Sequence, residues 1–86
     1  MDPELRREID AADWDDVVRR ALAYTGAQLA SPSRRHLRPR VSHTPDQYVQ
    51  RAVFRMLNEE IGYPGGGLFP FICGLIRDLI VKDFGR

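Results

Sequence analysis

The sequence predicts an all-α protein, a compact bundle of three to four helices, and three observations carry that reading. Apolar residues recur at helical spacing in three long segments, two of those segments open with strong capping signals, and no alternating strand pattern or internal repeat occurs. A chain of 86 residues makes one domain at most. So short a chain buries only about 60% of its unfolded surface, so its stability is expected to be marginal and a partner to help cover its apolar area. The expected division is residues 1–12 as an N-terminal extension or short helix and residues 13–86 as the helical domain.

Asp2-Pro3 suits a helix start, with Asp2 as cap and Pro3 in the first turn, where its missing N–H is harmless. Asp13-Trp14-Asp15-Asp16 is a firmer one, because Asp13 can accept free N–H groups while Asp15 and Asp16 sit at the positive end of the helix dipole. Trp14, Val18, Ala21, Leu22, Thr25 and Leu29 then form one apolar stripe, which predicts a helix from about Asp13 to Ala30. Gly26 weakens its interior by about 1 kcal/mol relative to alanine, and offers a place for another helix to approach closely. Ser31-Pro32-Ser33 ends it, since proline blocks continuation.

A polar, arginine-rich connection runs to His43. Thr44-Pro45-Asp46-Gln47 is the strongest start signal in the chain, with Thr44 as cap, Pro45 in the first turn and Gln47 at the capping-box position. The helix it opens is expected to turn Tyr48, Val49, Ala52, Val53, Met56 and Leu57 inward, with Ile61 as a further candidate. Arg51, Arg55, Asn58 and Glu59 are expected to face outward, and Gly62 to stop it. Tyr63-Pro64-Gly65-Gly66-Gly67 reads as a turn free to adopt positive φ. Pro70 suits the first turn of a last helix running toward Gly85. Its apolar positions Phe71, Ile72, Leu75, Ile76, Leu79, Ile80 and Phe84, widened by Val81, mark it as the most buried element.

Composition narrows the class of function. Cys73 is the only cysteine and lies in an apolar run, which excludes an intrachain disulfide framework and fits a reducing cytosol. The N-terminus is acidic rather than basic and then apolar, and Arg77 and Asp78 interrupt the longest apolar stretch. Neither a signal peptide nor a membrane span is expected, and the location expected is the cytoplasm. Net charge is close to balanced but unevenly spread: acids dominate to Asp16, while Val17 to Pro45 holds no acid and six arginines. A phosphate contact and a plain solvated loop are both open readings of that basic stretch.

No catalytic constellation emerges. His36, His43 and Cys73 fall short of the four ligands of a zinc site and do not share a helical face, and Cys73 in an apolar helix reads as an inert core residue. The triple glycine lacks the Lys-Ser or Lys-Thr and the preceding strand of a phosphate loop. A helix start accounts for Asp13, Asp15 and Asp16 without a metal. No metal, cofactor or catalytic residue is therefore expected.

Three ordered segments carry a family resemblance: Val18-Arg19-Arg20-Ala21-Leu22-Ala23-Tyr24, Asp46-Gln47-Tyr48-Val49-Gln50, and Phe71-Ile72-Cys73-Gly74-Leu75-Ile76-Arg77-Asp78-Leu79. Over Trp14 to Arg86 the chain resembles region 2 of bacterial RNA polymerase sigma factors, especially the compact extracytoplasmic-function type. The resemblance implies transcription initiation by binding alone. Its second conserved helix would dock on the coiled coil of the largest subunit of RNA polymerase core through Asp46, Gln50, Arg51, Arg55 and Asn58. Its loop and third helix would meet the single-stranded, non-template minus-ten promoter element. Tyr63, Phe69 and Phe71 would stack there or melt the duplex, and Arg77, Lys82 and Arg86 would contact phosphates, although core packing of Phe69 is an equal alternative. Arg51 stands where the family usually has Glu, a reversed charge on a helix that meets a basic coiled coil. Phe71 stands for a frequent Trp, Asp78 for a frequent Asn, and Gly85-Arg86 for a frequent arginine pair. The alternative function is a protein-interaction module or small subunit of the same fold, whose apolar surface a larger protein covers.

Overall fold

Three of the four helices begin on a side chain that accepts the backbone N–H groups left free by the first turn. Asp2 accepts from Glu4 and Leu5 at 2.8 and 3.2 Å and opens α1, Pro3–Ala11. Asp13 accepts from Asp16 at 3.3 Å and opens α2, Trp14–Leu29. Thr44 and Gln47 form a reciprocal capping box at the start of α3, Pro45–Asn58, the Thr44 hydroxyl accepting from the Gln47 N–H and the Gln47 side chain from the Thr44 N–H. The fourth, α4, spans Leu68–Phe84 and follows three glycines with φ of 86°, 90° and 107°. Those angles are what the triple glycine is for, because side-chain-bearing residues rarely adopt them.

The computed structural model describes residues 2–31, 43–59 and 61–84. The arginine-rich connection, including His36, and the candidate phosphate contact Arg86 lie outside the described residues. Every regular element among the described residues is a helix.

Burial follows from the sequence of α4. Ile72, Ile76 and Ile80 recur every four residues and are fully enclosed, with Leu68, Leu75 and Leu79 beside them. This helix packs on both α2 and α3, which also pack on each other, and α1 touches it as well. Tyr48, Val49, Ala52 and Met56 from α3, Ala21 and Thr25 from α2, and Leu5 from α1 complete the core. The buried Thr25 hydroxyl costs little because it donates to the Ala21 carbonyl one turn back at 2.7 Å. Between α1 and α2 the chain turns sharply, and the Trp14 indole N–H donates to the Ile9 carbonyl at 3.0 Å, satisfying an acceptor at the end of α1.

Several boundaries differ from the sequence expectations. Helix α3 stops at Asn58, not at Gly62; Glu59 is already extended, with φ of −110° and ψ of 149°. The Asn58 side chain donates to the Phe54 carbonyl one turn back at 2.9 Å. Helix α4 begins at Leu68, which keeps Pro70 in its first turn as expected and buries Leu68 there. Leu57, expected inside, is 48% exposed, and Val81 is 50% exposed. Among the described residues nothing approaches Gly26 within 4 Å of where a Cβ would stand, so the close approach it could allow is not used there. The N-terminal segment is a short helix whose Leu5 belongs to the common core.

Candidate docking face

Helix α3 has an inner side, built from Tyr48, Val49, Ala52 and Met56, and an outer side that no other helix covers among the described residues. Phe54 stands on that outer side, 64% exposed, the most exposed large apolar residue among the described ones. A groove lies on each flank of it. Between α2 and α3 an apolar groove of about 470 Å³ is walled by Trp14, Val18, Val53, Phe54 and Leu57, and Asp46, Gln50 and Asn58 line it as well. Between α3 and α4 a second groove of about 610 Å³ is lined by Arg51, Arg55, Lys82, Glu59 and Leu79, with Gln50 and Phe54 as its shared wall.

The five residues singled out on α3 therefore fall on one continuous surface: Asp46, Gln50 and Asn58 on the apolar groove, Arg51 and Arg55 on the cationic one. Phe54 joins the two. Phe54 was not among the residues expected here; its signal in the sequence is a large aromatic at the fourth position from both Gln50 and Asn58, on the polar face of the helix.

A polar cluster fixes one end of this surface. Tyr48 donates its O–H to Asp83 Oδ2 at 2.8 Å, joining the start of α3 to the end of α4. Arg51 donates to His43 Nε2 at 2.6 Å, and that nitrogen lies 3.6 Å from Asp83 Oδ2. The His43 ring meets Tyr48 edge-on at 5.4 Å. Burial pushes the Tyr48 phenol above its ordinary pKa of 10.0, and the bond to Asp83 and its negative charge add to this, against an opposing pull from Arg51. As pH rises the unfolded phenol ionises first. The stability this group contributes is therefore intact below pH 10.0 and lost as pH climbs from there through the raised native value. Tyr48→Phe is expected to cost about 1–2 kcal/mol at neutral pH and to flatten the alkaline loss of stability, both read by urea titration across the alkaline range.

The residues singled out for nucleic acid are only partly brought together. Tyr63 and Phe71 pack edge-on with ring centres 5.0 Å apart. The Tyr63 hydroxyl donates to the Glu8 carboxylate of α1 and accepts from the Gly67 N–H at 3.1 Å. The bond to Glu8, first, and then burial raise its pKa. Phe69 is elsewhere engaged, with the Arg20 guanidinium 4.2 Å above its ring. Arg77 and Lys82 are exposed on α4, and Lys82 belongs to the cationic groove.

Cys73 is half-buried, and burial pushes its thiol up, against a smaller opposing effect of Arg20. Among the described residues no group of three or more His, Cys, Asp or Glu side chains could hold a metal ion. No helix among them is long and apolar enough to cross a membrane. Compared with known protein families, curated proteins and solved structures, the chain matches none.

Proposed function

We propose that this chain is a non-enzymatic, cytoplasmic, sigma-region-2-like domain that acts in transcription initiation by binding, with the outer face of α3 as its contact to RNA polymerase core. One observation carries the reading: the five α3 residues that the resemblance assigns to polymerase line the two grooves that meet at an exposed Phe54. An aromatic anchor between two concavities is the feature that dominates binding energy in protein interfaces. The occupant is a helix of the coiled coil in the largest subunit, laid along α3.

The promoter strand is the second ligand in this reading. Tyr63 and Phe71 form the aromatic pair at the start of α4, with Arg77 as a phosphate contact. Unstacking a base costs a few kcal/mol, which an aromatic wall can offset. A second reading, an adaptor or small subunit of the same fold, is favoured by the intramolecular engagement of Tyr63, Phe69 and Phe71 beside the openness of Phe54.

Titrating a labelled non-template minus-ten strand and a scrambled strand at two salt concentrations separates the two. The sigma-like reading expects tighter binding to the minus-ten strand that persists at the higher salt. Equal, weak, salt-sensitive binding to both supports the adaptor.

A further inference from the structure

We infer that the helix seated on α3 is amphipathic with an acidic flank, the reverse of the basic coiled coil that the family resemblance implies; this rests on the docking reading of the α3 face. The two grooves differ in chemistry and share a wall. An occupant lying across Phe54 presents one side to Trp14, Val18, Val53 and Leu57 and the other to Arg51, Arg55 and Lys82.

The cationic side holds a true excess. Arg55 is offset by Glu59 at 3.5 Å, whereas Arg51 contacts the His43 ring nitrogen and Lys82 makes no ion pair among the described residues. Asp83 lies behind His43 with a side chain only 16% exposed, and Tyr48 already donates to it. Three cations, Arg51, Arg55 and Lys82, thus share this groove with one exposed carboxylate, Glu59, which leaves positive charge in excess beside the aromatic ridge. On the opposite edge Asp46 lines the apolar groove, so an acidic flank placed there would be repelled. The charge pattern therefore fixes orientation: leucine-like side chains in the α2/α3 groove, carboxylates toward α4. On the polymerase this selects an acidic strip of a coiled coil. A nucleic-acid strand would satisfy Arg51 and Lys82 but would leave the apolar groove uncovered.

The test uses the intact chain and two synthetic helical peptides with the same leucine stripe, one flanked by glutamates and one by lysines, followed by fluorescence anisotropy. The glutamate peptide is expected to bind about tenfold tighter or more at low salt, with the advantage shrinking as salt is raised. Arg51→Glu combined with Lys82→Glu should reverse the preference, while helicity by circular dichroism stays unchanged. Equal binding of the two peptides, or a preference for the lysine one, overturns the acidic assignment; if Phe54→Ala weakens both, the docking face survives that result. Failure of both peptides to bind overturns the face as well. Tighter binding of an oligothymidylate than of the glutamate peptide overturns the proposal in favour of a nucleic acid.

Discussion

Ile76→Ala is expected to remove a large part of the stability of the fold and to lower the melting point by about 10 °C or more. Ile76 lies at the middle of α4 and is 0% exposed, on the line of isoleucines around which the other three helices are arranged. Removing its outer carbons deletes contacts and leaves a void that rigid neighbours fill incompletely, at a cost of about 2–5 kcal/mol. A chain of 86 residues has roughly 4–13 kcal/mol to lose. Ile76→Val, which removes one methylene, should cost only about 1 kcal/mol and serves as the graded control. Thermal and urea melts followed by circular dichroism measure both. An alanine variant that melts within a few degrees of the parent would mean that α4 is not the central rod of the bundle.

Phe54→Ala should do the opposite, removing binding and sparing the fold. Its ring is 64% exposed, so truncation forfeits little packing, and alanine is the better helix former. The melting point should therefore stay close to that of the parent. In a complex the same ring would be enclosed from both grooves, and loss of such an anchor costs about 2 kcal/mol or more, roughly thirtyfold in affinity. Stability and the proposed binding are thus expected to separate on two residues of adjacent helices, one enclosed by its own chain and one exposed.

What the sequence made legible was local. The Thr44 capping box and the Asp13 cap lie within a few residues of what they stabilise, and the periodicity of α4 follows from one helix buried on most of its circumference. Helix ends were less legible, because Gly62 is a generic stop while Asn58, by bonding the carbonyl four residues back, stands at the actual one. Long-range contacts left no pattern at all. Tyr48 meets Asp83 across 35 residues and Tyr63 meets Glu8 across 55, so neither the polar cluster nor the engagement of α1 could be read locally. Residues 1–12 read as an extension or a short helix, and the place of Leu5 in the core was hidden because its burial depends on α4 being alongside. Phe54 escaped for a different reason: a single apolar residue on a polar helix face is common on protein surfaces, and only the grooves beside it distinguish it.

Helix α3, through Phe54, is the docking surface we propose. Binding of purified RNA polymerase core to the parent, to Phe54→Ala and to Tyr63→Ala, at matched helicity, measures it directly. The parent and Tyr63→Ala are expected to bind alike while Phe54→Ala is weakened roughly thirtyfold. Undiminished binding of Phe54→Ala, or loss of binding in Tyr63→Ala alone, would contradict the proposal.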